Sequence, residues 1–474
     1  MASDDVEAFD SVLDAIGGTP LIRLARIAPP AGPRIYVKAE FLNPGGSVKD
    51  RAALSMVLDA ERSGALPPGG LIVEGTSGNT GIGLAIVAAQ RGYRLTVVLP
   101  DKSSREKTAI LRAYGADVVV TPGAVPREDP AHVSQVARRL AEENGGWLAD
   151  QYDNPANPAA HETTTGPEIW RQTRGRITHF VAGIGTGGTI SGAGAHLKRV
   201  SGGRVRVIGA DPETSVYSGG DGSPYVVESI GHYRHPDTVE DTWPRSYHRD
   251  VVDHVEPVGD RESLLTTRRL AREEGLLLGA SAGTAAAAAL RLGAGLGPAD
   301  LIVVVVPDSG RSYLSKYYDD DWLRHLGFLT EHAGEQTVAE AAGPFPAAAP
   351  GLAATASVGS ALAVAERHPG TGPLWPVGPD RPGATGPPSV AEVTGALDVP
   401  ELRLLTAAGM ARPADPIAGY VTGPLPAVGI GESRRAAADR LGAHETAWVL
   451  VDGRVAGSVH KGQLEPVGER TAGT

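Results

Sequence analysis

Between residues 34 and 307 the chain alternates two textures. Short runs rich in β-branched residues, "RIYVKAEF", "GLIVEG", "YRLTVVLP", "ADVVVT", "THFVAGIG", "VRVIGAD" and "LIVVVVP", read as strands. Most lack the polar alternation of a half-exposed strand, as strands covered on both faces do. Residues 49–62, 79–91, 103–114, 130–144, 188–200 and 261–275 read as the helices between them. This rhythm predicts an α/β fold, with helices on both faces of a mainly parallel sheet. Ligands of such sheets sit beyond the carboxyl ends of the strands, so the chemistry is to be sought in the loops there.

The texture changes near residue 330. "AGPFPAAAPGLAATASVGS" and "PVGPDRPGATGPPS" are rich in Pro, Gly and Ala and read as loops or a flexible connection. Order returns towards the end, with a helix expected over about 432–441. "AWVLVDGRVAGSV" then reads as two strands about an Asp-Gly turn. The pattern predicts a large domain over 1–330 and a smaller α/β module over 331–474.

Composition narrows the class. The 474 residues are 41% apolar and 21% charged, close to the average of globular proteins. Net charge is −11 and no basic block stands out, which disfavours nucleic acid as a partner. The chain has no cysteine, which removes disulfides, thiolate metal sites and a cysteine nucleophile. The start "MASDDVEAFD" lacks the apolar core of a secretory signal, and no apolar run is long enough to span a bilayer. The expectation is a cytoplasmic protein with no membrane partner.

Five stretches carry candidate chemistry. "EFLNPGGSVKDRAA" (40–53) sets Lys49 after a Gly-Gly-Ser turn at the head of a helix. "VEGTSGNTGIGLA" (73–85) leads a strand into a helix through short polar residues, a ready seat for a carboxylate or phosphate, and equally an ordinary helix cap. "VAGIGTGGTISGAG" (181–194) is a second such turn. There Gly185, Gly187 and Gly188 let backbone approach an oxyanion, and Thr186 and Thr189 can donate hydroxyl hydrogen bonds. A dinucleotide site with Asp211 as the ribose acid competes for this stretch, although the glycine pattern differs from the fingerprint. "LLLGASAGTAAAA" (276–288) fits the G-x-S-x-G of a hydrolase elbow around Ser281, or a small-residue helix start. In "VVVVPDSGRSYLSKYYDDDWL" (303–323), Asp308 and Ser309 either face a ligand or cap a turn. The acidic run that follows reads as a solvated face, because it lacks the spacing of a calcium loop.

In this order, "IGGTPLIRL", "NPGGSVKDR", "TSGNTG", "GTGGT", "G-x-S-x-G" and "PDSG" resemble fold-type II pyridoxal-phosphate enzymes of the cysteine synthase and cystathionine β-synthase family, over about residues 10–328. The resemblance implies a tryptophan-synthase-β-like catalytic domain of two open parallel-sheet subdomains, the smaller and mobile one over about 45–150. It implies pyridoxal 5′-phosphate joined to Lys49, its phosphate in the Gly185-Thr186-Gly187-Gly188-Thr189 loop, Asn79 on its phenolic oxygen and Ser281 on its ring nitrogen. Thr76, Ser77, Asn79 and Thr80 would hold the substrate carboxylate. The implied reaction is β-replacement on serine or an activated serine, through an aminoacrylate, with a thiol as nucleophile.

Finer features favour the cystathionine-forming branch. "PYVVESIGHY" places Glu228 where that branch has Glu, as an acid or base near the β-hydroxyl or the incoming homocysteine. "DQYDNPANPAAH" places Tyr152 where it has Tyr. A cysteine synthase using O-acetyl- or O-phosphoserine and sulfide is the alternative, as is a specialised β-replacement enzyme, because Ser229 replaces a glycine and "HYR" the usual "YDF". The last part resembles a CBS-pair (Bateman) regulatory module with a degenerate first half over roughly 337–399. There His460 and Gln463 stand where nucleotide-binding versions carry Thr and Asp, which argues against an adenosyl ligand. A homo-oligomer, dimer or tetramer, is implied by the family, and no metal is expected.

Overall fold

The computed structural model describes residues 8–76, 78–123, 125–236, 243–331, 334–384 and 386–464. The chain divides into two compact units, residues 1–222 with 227–318, and residues 223–226 with 319–474.

The first unit contains strands β1 (Leu21–Arg23), β2 (Arg34–Ala39), β3 (Leu71–Gly75), β4 (Arg94–Pro100), β5 (Asp117–Thr121), β6 (Trp147–Leu148), β7 (His179–Gly183), β8 (Arg206–Pro212), β9 (His254–Val258) and β10 (Leu301–Val306). Six form one sheet in the order β1-β2-β10-β7-β8-β9, parallel except at β1. Four form a wholly parallel sheet in the order β5-β4-β3-β6. The alternating elements thus give the α/β architecture expected from the pattern, and the two sheets match the two parallel-sheet subdomains that the family resemblance implied. The all-apolar β10 is buried along its whole length between β2 and β7, where both faces are covered.

The intervening helices are α1 (Lys49–Ser63), α2 (Asn79–Arg91), α3 (Arg105–Ala113), α4 (Val133–Glu143), α5 (Ala156–Ala160), α6 (Gly166–Gln172), α7 (Gly188–Ser201), α8 (Asp260–Glu274) and α9 (Ala280–Gly293). α3 and α4 begin two or three residues later than the pattern suggests, because Ser104 and His132 cap them. Residues 155–172 were not among the expected helices. They carry Pro155, Pro158 and Pro167, which interrupt any helical periodicity, and they form α5, a π-helical turn (His161–Thr165) and α6. Small residues let the buried helices pack closely. A Cβ on Gly83 of α2 would lie 3.0 Å from the Lys49 carbonyl oxygen, so α2 rests directly on the start of α1.

The second unit repeats one motif. β11 (Leu352–Ala353), helix Val358–Arg367, β12 (Leu374–Gly378), β13 (Gly395–Asp398) and helix Val399–Ala407 are followed by β14 (Ala427–Gly429), helix Arg434–Leu441, β15 (Thr446–Val451), β16 (Arg454–His460) and helix Lys461–Leu464. In each half the first two strands are parallel and the last two antiparallel. Asp452 and Gly453 both take positive φ between β15 and β16, the geometry of the anticipated Asp-Gly hairpin. The helix expected from 432 starts at Arg434, capped by Ser433. Helix Asp320–His325 belongs to this unit rather than to the first. A Cβ on Gly429 would meet the Arg324 carbonyl, so the helix lies against β14. No helix among the described residues is long and apolar enough to cross a membrane.

Candidate active site

The turns at the carboxyl ends of β3, β7 and β10 converge with the turns that open α1 and α9. Val48 N–H donates to the Pro307 carbonyl (2.8 Å), Ser309 N–H to Gly46 (3.1 Å) and Gly279 N–H to Asp308 (3.2 Å). Through the Pro307–Ser309 turn, the heads of the helices carrying Lys49 and Ser281 are therefore held by backbone bonds.

Lys49 is the first residue of α1. Burial lowers its amine to about 8, with Asp308 and Glu74 pulling the other way. The helix is anchored two residues on. Arg51 Nε donates to Glu40 (2.8 Å) and its Nη1 to Glu168 of α6 (2.7 Å), while Lys38 Nζ donates to Glu168 (2.6 Å). Burial alone would raise Glu168, but these cations hold it at about 2.

In the turn after β3, Asn79 Nδ2 donates to Asp308 Oδ2 (2.7 Å), which also accepts from the Tyr313 hydroxyl (2.5 Å). The Thr80 hydroxyl donates to Gln151 (2.6 Å), which leaves its backbone N–H at the α2 N-terminus as the donor available there. Thr76 Oγ1 accepts Gly78 N–H (3.1 Å). Ser77 lies outside the described residues. Gly78 has φ +127°, and a Cβ there would run into Lys107.

The turn after β7 is built for close approach. Gly187 has φ +85°, and Cβ atoms on Gly187 and Gly188 would meet Tyr247 and Asn157 at 2.4 and 2.1 Å. Tyr217 donates to the Gly185 carbonyl (2.9 Å). Thr186 Oγ1 accepts from Asn157 Nδ2 (3.0 Å), and Thr189 Oγ1 lies 3.2 Å from His161 Nε2.

Ser281, in the first turn of α9, is 1% exposed and its hydroxyl has no hydrogen-bond partner. Such a hydroxyl calls for a ligand acceptor or donor, and the N-terminus of α7, which has no side-chain cap, suits a phosphate. The site therefore fits a phosphorylated ring. The hydrolase reading fails, because Ser281 bonds no base. Gly283 serves packing: a Cβ there would lie 2.0 Å from Thr267 of α8. Asp211 accepts Ser218 N–H (2.9 Å), which makes it a turn-former rather than a ribose ligand.

Glu228 is nearly buried and bonded to two amines, Lys107 Nζ (3.1 Å) and Lys316 Nζ (2.5 Å). Burial would raise its carboxyl, yet both lysines outweigh that and hold it below the ordinary range. It is therefore held as an ionised acceptor between the two amines. Lys107, fully buried, also lies 4.4 Å from the Tyr313 ring centre. The Tyr317 hydroxyl accepts Glu228 N–H (3.0 Å). Ser229 sits at φ +73°, unusual for a residue with a side chain, 3.5 Å from the Tyr313 hydroxyl. Tyr152 is 40% exposed, and no hydrogen bond joins its phenol to Glu228.

Lys107, Gln151, Asn157, His161 and Tyr313 escaped sequence reasoning. A lysine inside "SREKTAIL" looks like a solvated helix face, and only contacts across the fold reveal its burial. Asp308 was legible as a loop acid, but not as the partner of Asn79.

A family model described as "Pyridoxal-phosphate dependent enzyme" matches residues 12–308. Cystathionine beta-synthase of Apis mellifera is 44% identical over 335 residues, 69% of this chain and 64% of that protein. Cysteine synthase of Staphylococcus aureus is 42% identical over 308 residues, 65% of this chain and 96% of its own length. The crystal structure of O-ureido-L-serine synthase superposes with a TM-score of 0.61 at 41% identity, covering 66% of this chain and 96% of that one. This chain thus spans just under two thirds of the bee protein.

Proposed function

The chain belongs to the pyridoxal-phosphate dependent enzyme family, and from that premise we propose that it catalyses β-replacement on L-serine, exchanging the hydroxyl for the sulfur of homocysteine to give cystathionine and water. Bound pyridoxal phosphate supplies the electron sink that makes the Cα proton acidic. Lys49 anchors the cofactor, and its amine, brought near neutrality by burial, removes and returns the proton at Cα. Gly185–Thr189 hold the phosphate, Asn79 the phenolic oxygen and Ser281 the ring nitrogen. Thr76, Ser77, Asn79 and Thr80 hold the substrate carboxylate, chiefly with N–H groups at the head of α2. A smaller subdomain over about 45–150, built on the four-stranded sheet, closes on the substrate in this reading.

The choice of nucleophile rests on one observation, the pairing of two lysine amines with the single carboxylate of Glu228. The surplus positive charge at that end suits a thiol bearing its own carboxylate, such as homocysteine, better than sulfide. Glu228 then holds the two lysines towards that carboxylate, and the proton lost by the thiol balances the one that leaves with the hydroxyl as water. Tyr152, at the rim, would contact the second substrate only as it enters.

Steady-state assays with serine plus homocysteine, set against O-acetyl- or O-phosphoserine plus sulfide, decide the matter. Cystathionine is expected as the favoured product; exclusive turnover of activated serine with sulfide would overturn this choice. Ser229 is the observation that favours a second reading. Its side chain adds bulk beside Tyr313, which would suit a smaller nucleophile and a cysteine synthase or specialised β-replacement activity.

The repeated motif of the second unit supports reading it as a CBS pair in a homo-oligomer. His460 N–H donates to Gln463 Oε1 (2.8 Å) and His460 Nδ1 accepts Gly462 N–H (3.1 Å), so both side chains are engaged within the terminal turn. Calorimetric titration with S-adenosylmethionine is expected to give no binding heat.

A further inference from the structure

The two threonine hydroxyls of the turn after β7 are each met from behind by a side chain of the α5–π segment. Asn157 and His161 are four residues apart and both buried, at 1% and 0% exposure. Asn157 Nδ2 donates to the Gln151 carbonyl (2.8 Å) as well as to Thr186 Oγ1. A carbonyl can only accept, so the amide cannot be flipped, and its second N–H must be the donor to Thr186.

His161 has one nitrogen on each of two hydroxyls: Nδ1 lies 2.9 Å from Thr165 Oγ1, and Nε2 lies 3.2 Å from Thr189 Oγ1. Burial, with Arg51 and Lys49 close by, keeps the ring neutral, so it carries a single proton. A proton on Nδ1 would leave the hydroxyl proton of Thr165, which is fully buried, without an acceptor among the described residues. A proton on Nε2 satisfies Thr165 as donor to Nδ1 and makes His161 the donor to Thr189. Each threonine oxygen therefore already accepts a hydrogen bond from behind, and its own proton is left to donate elsewhere.

We propose that Asn157 and His161 are positioning residues, which make Thr186 and Thr189 donate their hydroxyl protons forward to a bound phosphate. This rests on the assignment of that turn to the cofactor phosphate. The packing keeps the pair in place: Cβ atoms on Gly188 and Gly192 would strike Asn157 and the Pro158 carbonyl, so α7 sits hard against the segment that carries both residues.

The test uses the cofactor-free full-length chain and two probes, pyridoxal 5′-phosphate and pyridoxal, which differ only in the phosphate. His161→Leu and Asn157→Leu are each expected to weaken pyridoxal phosphate about tenfold and to leave pyridoxal within about twofold. His161→Gln, which keeps an N–H near the position of Nε2, is expected to recover most of the loss. His161→Leu added to Thr189→Val should weaken binding no further than Thr189→Val alone. Equal losses for both probes, no recovery with Gln, or multiplying losses in the double variant would overturn the proposal. If Thr186→Val and Thr189→Val leave the ratio of the two affinities unchanged, the assignment of the turn itself fails. If they shift it while the His161 and Asn157 variants do not, only the present inference fails.

Discussion

The turns after β3 and β7 look alike in sequence, each a Thr- and Gly-rich passage from a buried strand into a helix, yet the fold uses their polar groups in different ways. In the turn after β3, Thr80 gives its proton to Gln151 and Asn79 one of its two to Asp308, while Thr76 accepts Gly78 N–H. In the turn after β7 the threonine oxygens receive, from Asn157 and from the neighbourhood of His161. The first turn keeps backbone N–H groups at the head of α2, with the Thr76 hydroxyl and the second Asn79 N–H beside them. The second keeps the hydroxyl protons of Thr186 and Thr189 as its donors. Similar motifs become different sites because of what packs behind them.

The largest expected effect lies between the two turns. Lys49→Ala should lower turnover about 10²–10⁴-fold and abolish the cofactor's protein-bound absorbance, whichever ligand each turn holds. Retained absorbance together with retained turnover would remove the centre around which the contrast is drawn.

Next comes the anchor of the helix that carries Lys49. Glu168→Gln leaves Arg51 and Lys38 with an uncompensated buried charge, at a cost of about 3–5 kcal/mol in urea unfolding. The Glu168 carboxyl is held at about 2 in the folded chain, below its ordinary 4.5. Its contribution is thus fully present above about 4.5 and is lost as pH falls from there towards 2. The variant should lack that part of the acid transition; an unchanged acid profile would show that the cluster does not stabilise α1.

The contrast itself is sharpened by a crossed pair. Thr189→Val should weaken the cofactor about tenfold and leave the KM for serine nearly alone. Thr80→Val, which strands the buried Gln151 acceptor, should raise the KM for serine by a similar factor and spare the cofactor. Equilibrium dialysis and steady-state kinetics on both variants separate these outcomes, and the same pattern in both would erase the distinction between the turns.

The smallest effect is a slope. Cofactor uptake by the cofactor-free protein needs the neutral Lys49 amine, whose titration lies at about 8. The uptake rate should rise with pH through about 8 and level off above it. A midpoint near that of a solvent lysine, about 10.4, would show that burial does not tune the amine.

Much of this was written in local pattern. Apolar runs without polar alternation announced parallel strands, and the spacing of Ser, Gly and Asn after them announced the helix heads where ligands sit. What local pattern misses is direction and pairing. Nothing near Lys107 in the chain says that its amine is buried against Glu228, 121 positions away. Nothing near Ser281 distinguishes a nucleophile from a hydroxyl buried without a partner. The π-helical turn at His161–Thr165 was hidden because three prolines break the periodicity from which helices are read.

The sequence alone determined the α/β class, the ordered set of turns and Lys49 as the residue to watch, because hydrophobic periodicity and helix-capping chemistry act over a few neighbours. It took the folded chain to make Thr80 a donor to Gln151 and Thr186 an acceptor from Asn157, to hold Glu228 ionised between two lysines, and to bring Lys49 to about 8. Those properties depend on burial and on charges brought together across the fold, where a low dielectric makes each partner count.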